Sequence, residues 1–279
     1  MKFMVRTLSP LVLCVSSVNV VTSQSELTFD VVSVKENRTG TSAGAMSITP
    51  RSLSFLSSTP SGLIRWAYDL QQREVLGGPE WIDAVRFTVR GTTAKDTRVP
   101  EFREMLRSVL RTRFRLDAVF ETQQDQPIYR LIRMHADGRL GPGMAPAPFA
   151  CKRDGVIPVS NEPPPQTPGS QNCSIGIFVS GGALTAVAGN NATMFQLART
   201  LSGRKEFDRP VFDFTGLEGE YNFFVQVSNR GPDAVSADPV AASATWFSAL
   251  SEQLGLRLQA SRGPVRVLRV RSIERPTAD

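Results

Sequence analysis

A run of turn-forming residues divides this chain into two stretches that carry the same succession of secondary-structure signals. Between Gly138 and Gly169 lie Gly141-Pro142-Gly143, Pro146, Pro148 and Pro163-Pro164-Pro165. Such residues neither continue a helix nor donate regularly to a β-ladder, so the segment reads as a long surface connection. Before it, Thr59 is placed to cap a helix starting at Pro60, with Leu63, Ile64, Ala67 and Leu70 at helical spacing. After it, Asn190 or Asn191 is placed to cap a helix whose apolar face is Met194, Leu197, Ala198 and Leu201, stopped by Gly203. Position 60 maps to position 194, a displacement of 134 residues, and the strand-like segments 86–89 and 220–223 keep that displacement. A second helix follows in each stretch, with Phe102, Met105, Leu106, Val109 and Leu110 in one and Phe247, Leu250 and Leu254 in the other.

Each second helix is expected to run into a hairpin. The first goes from Phe114 to Phe120 and returns through Pro127 to Met134; the second goes from Leu256 to Ala260 and returns through Gly263-Pro264 to Ile273. With a further strand at Phe29–Val34 and a hairpin turning at Pro50-Arg51, the pattern predicts an α+β fold of two related helix-strand-helix-hairpin halves. Helices pack on one face of mainly antiparallel or mixed sheets. The expected boundaries are residues 24–137 for the first half, 138–174 for the connector and 175–279 for the second half. In the last strand Val265 and Val267 share one parity while Leu268 and Val270 share the other, so either both faces are buried there or a bulge shifts the register.

Composition fits a packed domain: 41% of the 279 residues are hydrophobic and 21% charged, enough apolar surface for a sizeable core. The N-terminus has the layout of a cleaved signal peptide, with Lys2 and Arg6, an apolar run from Leu8 to Val21, and small or aliphatic residues before a cleavage point after Ser23. Residues 1–23 are therefore read as a leader and the chain as exported, periplasmic or extracellular, with no transmembrane segment after cleavage. Losing the leader reduces 32 basic residues to 30 against 26 acidic, a net charge of +4. That mild bias is far below the charge density of a nucleic-acid binder, so no nucleic-acid partner is expected. In an oxidising compartment the two remaining cysteines, Cys151 and Cys173, are expected to form a disulfide across the proline-rich loop, two buried thiols being the alternative.

Few residues carry recognisable chemistry. Gly40-Thr41-Ser42-Ala43-Gly44 matches a nucleophile elbow in letters only, since no hydrophobic strand precedes it and His135 is the chain's one histidine. No phosphate loop, histidine pair or carboxylate cluster with metal-ligand spacing is present in the sequence, so neither a metal nor a cofactor is expected. Glu74, Glu80 and Asp83 surround Gly77-Gly78-Pro79-Glu80-Trp81. Trp81 beside these acids suits stacking on a sugar or peptide; the favoured reading is a tight turn whose Trp81 plugs the gap between helix and sheet. Arg103, Arg107 and Arg111 lie on one helical face and could grip an acidic partner, although Glu101 and Glu104 between them mark the solvated side of an amphipathic helix. Trp81, Glu80, Asp83, Arg103, Arg107 and Arg111 are the candidate binding residues; no catalytic residue is assigned. Asn37, Asn172 and Asn191 stand in glycosylation-acceptor triplets.

Several strings, taken in order and spacing, resemble the soil-associated family of exported bacterial proteins, abundant in acidobacteria and of unknown function. They include Phe29-Asp30-Val31-Val32-Ser33-Val34-Lys35, Gly77-Gly78-Pro79-Glu80-Trp81, Arg209-Pro210-Val211-Phe212-Asp213 with Thr215-Gly216-Leu217, Glu252-Gln253-Leu254-Gly255-Leu256, Gly263-Pro264-Val265 and Glu274-Arg275-Pro276. The chain departs from the family pattern at Phe120, where a histidine is common, and at Arg271, where an acid is. The repeated units also resemble the short N-terminal domains of secretins and TonB-dependent receptors, which are protein-binding modules. The resemblance implies no catalytic residues and a binding or sensory role. The sequence is thus read as a non-catalytic envelope module for a protein or an envelope polymer, with a polymer hydrolase using carboxylates brought together by the fold as the alternative.

Overall fold

The computed structural model describes residues 27–38, 44–148, 173–180, 184–228 and 246–276. In chain order the first half holds β1 (Val31–Glu36), β2 (Ala45–Thr49), β3 (Ser52–Ser58), α1 (Pro60–Tyr68), β4 (Val75–Gly77), α2 (Trp81–Ala84), β5 (Phe87–Thr92), α3 (Val99–Arg113) and β6 (Asp117–Arg133). The remainder holds β7 (Met144–Pro146), β8 (Ser174–Ser180), β9 (Leu184–Ala192), α4 (Met194–Ser202), β10 (Val211–Asp213), β11 (Tyr221–Ser228), a wide helical turn at Leu250–Leu254 and β12 (Leu256–Ser272). The α+β class expected from the sequence is what the strands and helices form.

Two four-stranded sheets are antiparallel throughout. The first has the order β1-β5-β3-β2 and the last β7-β11-β9-β8. Strict alternation explains both. In β5, Phe87, Val89 and Gly91 are buried while Thr88, Arg90 and Thr92 point outward; in β11, Phe223, Val225 and Val227 are buried while Phe224, Gln226 and Ser228 point outward.

The expected terminal hairpins are overturned. Each is one unbroken strand of 17 residues, and β6 pairs antiparallel with β12 from Asp117↔Ser272 to Arg133↔Leu256. At about 3.3 Å per residue these strands run roughly 55 Å, long enough to serve two cores. The turn signals have another use. The register passes from Gly263↔Gln126 to Val265↔Gln123, so Gln124 and Asp125 together face Pro264. Asp125 takes a left-handed φ of 54° there, and Arg262 Nε donates to its Oδ1 at 2.8 Å. A bulge is where a strand tolerates a residue without an N–H, so Pro264 marks a bulge and not a turn. The short strands β4 and β10 complete the central sheet, each parallel to its neighbour, in the order β10-β6-β12-β4.

Each core is consequently finished by the other half of the chain. The first core joins α1 and α3, through Leu63, Ile64, Ala67, Phe102, Leu106 and Leu110, to Leu268, Val270 and Ile273 at the far end of the chain. The second joins Met194, Leu197, Ala198 and Leu201 of α4 with Trp246, Leu250, Leu254, Leu256 and Leu258 to Leu131 and Met144, which precede the connector's undescribed part. A third, small cluster of Ile128, Val265 and Val267 covers the opposite side of the central sheet, so the conflicting parity of β12 means that both of its faces are buried. Burying a leucine stabilises by about 1.5–3 kcal/mol, and several such residues cross from each half.

Two local expectations change. Thr59 caps α1 as its spacing suggests, its Oγ1 accepting from Gly62 N. The second cap is Thr193, not Asn190 or Asn191: its Oγ1 accepts from Gln196 N at 3.2 Å and Gln196 Oε1 accepts from Thr193 N at 2.8 Å, a reciprocal capping box. Asn191 lies within β9, one residue before its end, and is 1% exposed, which removes it as a glycosylation acceptor. The connector is not a free surface linker at its start either. Gly141 N donates to Leu254 O and Gly143 N to Gln253 O, β7 adds an edge strand there, and a Cβ on Gly141 would lie 2.5 Å from backbone atoms, so only glycine fits.

Candidate functional site

Trp81, Asp83, Arg103 and Arg107, singled out from the sequence, each contact other parts of the fold. Gly77 and Gly78 take φ of 77° and 82°, forming the tight turn, and Trp81 packs partly buried on the first core, edge-on to Phe87 with ring centroids 6.5 Å apart. The guanidinium of Arg275 lies 5.5 Å from its ring centroid. Glu80 is exposed, and Asp83 accepts from Ser61 Oγ at 2.5 Å. Trp81 therefore fills a gap, while Glu80 and Asp83 do not converge on a site. Glu74 caps the turn before β4, its Oε2 accepting from Gln71 N.

The three arginines are likewise engaged. Arg103 pairs with Asp69 at 2.8 Å and Arg107 donates to Ala67 O at 2.8 Å and to Glu104 at 2.6 Å. Their guanidiniums lie over Trp66 and Tyr68, at 5.5 and 5.0 Å. From the other half, Arg199 donates to the carbonyl of Asp69 at 2.7 Å. Cations are drawn to the unsatisfied carbonyls at a helix C-terminus, so Arg103, Arg107 and Arg199 close the end of α1 and join the halves there. Arg111 sits near Tyr68, whose hydroxyl is pushed up by burial despite Arg111 and Arg107. An acidic partner has little to grip at Arg103 and Arg107.

Two clefts open elsewhere. One, of about 600 Å³, is bordered by Pro146, Thr193, Glu218, Glu220 and Tyr221. The other, of about 150 Å³, lies over the middle of the central sheet, floored by Leu76, Val265 and Val267 and edged by Arg73 and Arg209. Beside it Tyr129 donates its hydroxyl to Asp208 Oδ1 at 3.0 Å, while Arg209 donates to both carboxylate oxygens and stacks 4.8 Å over the tyrosine ring. Arg209, then Tyr129, holds the Asp208 carboxyl below its usual range, and burial, then Asp208, pushes the Tyr129 hydroxyl up. These groups satisfy one another and fix the approach to β10. Sequence spacing gave no reason to join Tyr129 to Asp208; only the string beginning at Arg209 pointed to the region. Glu80 and Asp83 line neither cleft. Among the described residues no three His, Cys, Asp or Glu side chains are grouped to hold a metal, and no helix is long and apolar enough to cross a membrane. Ser42 and Cys151 lie outside the described residues.

The most unusual surface is the last sheet, and no sequence signal had singled it out. Its outward face sets Phe224, Ala188 and Gly176 in one row and Gln226, Ala186 and Phe178 in the next, without a charge. Its end strand β8, Ser174-Ile175-Gly176-Ile177-Phe178-Val179-Ser180, has neither charge nor proline, and Ile177 and Val179 are 45% and 64% exposed. Among the described residues nothing pairs with its outer edge. The opposite edge is closed: β7 covers the start of β11, and the Gln253 side chain takes over beyond it, accepting from Gln226 N at 3.0 Å and donating to Gln226 O at 2.9 Å. Proteins ordinarily blunt edge strands with charge, proline or brevity. Strand β1 carries Lys35 and Glu36, β7 is three residues long with Pro146, and β2 is five; β8 has none of these devices.

No curated protein and no solved structure matches the chain. Residues 61–273, from the first turn of α1 to the residue that closes the first core, match the family described as protein of unknown function, DUF3738, and the chain belongs to that family.

Proposed function

We propose that the protein is an exported, non-catalytic binding module that takes an extended segment of a protein onto the open edge of its last sheet. The observation that carries this reading is β8: paired with β9 on one side only, it turns the backbone groups of alternate residues to an outer edge that nothing among the described residues pairs, beside the exposed apolar side chains Ile177 and Val179 and with no charge to repel an incoming strand. Main-chain pairing supplies affinity in strand addition and alternate side chains supply selection. A backbone ladder favours a protein over an envelope polysaccharide, which has no regularly spaced amides to offer. Export to the periplasm or beyond is supported by the basic and apolar N-terminus. The polymer-hydrolase reading is weaker because Glu80 and Asp83 face solvent and the ring of Asp208, Arg209 and Tyr129 holds one acid, not two.

The test is a photo-crosslinking residue placed at position 179 of the mature protein in an envelope preparation. A protein adduct that disappears in Ile177→Lys and persists in Met46→Lys, on the opposite type of edge at β2, supports the reading. An adduct unaffected by Ile177→Lys, or retention by protease-stripped polymer alone, overturns it.

A further inference from the structure

We infer that the strand received by β8 is β8 of a second copy of this chain, forming a two-fold dimer through a continuous eight-stranded sheet; this rests on the open-edge reading above. The residues of β8 read nearly alike in both directions: serine, β-branched, glycine, isoleucine, phenylalanine, β-branched, serine. An antiparallel pairing about a two-fold axis at Ile177 sets Ser174 against Ser180 of the second copy and Ile175 against its Val179. Gly176 meets its Phe178, and Ile177 meets its Ile177. Directly opposed residues share a face in an antiparallel pair. The β-branched residues therefore meet on the side of the second core, while on the outward side Phe178, whose ring already covers Gly176 of its own strand, stands opposite Gly176 of the second copy.

Charge supplies the second argument. An isologous interface brings every residue near its own copy, so a charged edge repels itself unless it is self-compensating. Neither β8 nor its neighbour β9, Leu184–Ala192, carries a charged residue. The β2 edge is followed at once by Pro50 and by Arg51, which is paired with Asp96 at the sheet corner, and β1 carries Lys35 and Glu36. The joined sheet, β7-β11-β9-β8 continued by its two-fold mate, stays within the size that open twisted sheets reach. It also places the outward rows of Phe178, Ala186, Ala188 and Phe224 from both copies on one continuous apolar surface.

The experiment is sedimentation equilibrium of the purified chain across about 1 to 100 μM, a range that spans ordinary dimer affinities, with hydrogen exchange of the β8 amides followed at both ends of the range. The expected result is a dimer whose β8 amides become protected as concentration rises, and whose association Ile177→Lys weakens about a hundred-fold because two ammonium groups meet at the axis. Met46→Lys leaves association unchanged. Should Ile177→Lys fail to fold, wild-type β8 protection with concentration decides the matter by itself. A chain of single-copy mass at 100 μM, or a dimer with unprotected β8 amides, overturns the inference. A monomer whose position 179 still crosslinks to another protein overturns the second copy and keeps the open-edge reading; a monomer with no crosslink overturns both.

Discussion

The first and last sheets have one strand order, antiparallel pairing throughout and an apolar inner face, and they differ in what they show to the outside. Outward from the first sheet point Ser33 and Lys35, Thr88, Arg90 and Thr92, Ser52 and Ser54, and Ser47 and Thr49, with the apolar Val31, Ala45 and Leu56 at its margins. Outward from the middle of the last point Gly176 and Phe178, Ala186 and Ala188, and Phe224 and Gln226, with Ser174, Asn190 and Ser228 toward its ends. Hydroxyls and cations are at home in water; alanines that are 8% and 4% exposed on an outward face are not among groups that need it. Inner-face alternation is sufficient to set the sheet, so the outward set is free to differ, and among the described residues the middle rows of the last sheet are the ones without hydroxyl or charge. The halves also complete each other's cores across β6 and β12, so their difference is one of surface and not of independence.

The comparison breaks most visibly if the halves can be separated. Ending the chain after Arg262 removes Leu268, Val270 and Ile273, and with them one wall of the core under α1 and α3. We expect no cooperative transition by calorimetry and loss of amide protection in α3, although α3 itself is untouched; a protected α3 would mean that the first half stands alone. Next in size are the single residues that cross. Leu131→Ala and Leu268→Ala, at 0% and 1% exposure, should each cost about 2–5 kcal/mol in urea unfolding. Equal effects on both lobes' probes would sharpen the claim that the lobes share strands, whereas an effect confined to one lobe would weaken it. The matched caps come third: Thr59→Ala and Thr193→Ala should each lower stability by about 1 kcal/mol, while Asn190→Ala, outside the cap, should not.

The smallest effect concerns pH. Arg209 and Tyr129 hold Asp208 below the ordinary carboxylate range near pH 4. A depressed carboxyl contributes stability above its unfolded pKa and loses it as pH falls through the folded one. Asp208→Asn should therefore flatten the fall in urea midpoint between pH 5 and pH 3, by about a few tenths of a kcal/mol since the pair is largely solvated. A steeper fall in the variant would contradict the sign.

What could be read from the sequence was whatever depends on neighbours along the chain. The buried faces of α1, α3 and α4 repeat every three to four residues, and Leu106 and Leu250, placed on apolar helix faces by their spacing, are both fully buried. The turn at Pro50-Arg51 and the Gly77-Gly78 turn need only local backbone chemistry. The errors lie where a local signal has a nonlocal cause. Pro127 and Gly263-Pro264 look like hairpin turns because nothing along the chain tells a proline in a turn from one facing a bulge on a strand more than a hundred residues away. Asn190 and Asn191 are good caps in isolation, yet the Thr193–Gln196 pair closes the helix two residues later. Arg103 and Arg107 look like a solvated stripe until Asp69 and Ala67 appear beneath them. Strand β8 gives no local signal because its distinction is the lack, among the described residues, of a neighbour on one side, which no residue in it announces.

The three tryptophans divide between the lobes, Trp66 and Trp81 packing on the first core and Trp246 buried in the second, so fluorine NMR of the 5-fluorotryptophan-labelled chain through a urea titration reads both lobes without a substitution. Because two shared strands tie the cores together, all three native resonances should vanish with one midpoint. A Trp246 signal lost at a clearly different urea concentration from those of Trp66 and Trp81 would show two separately folding lobes and contradict the account.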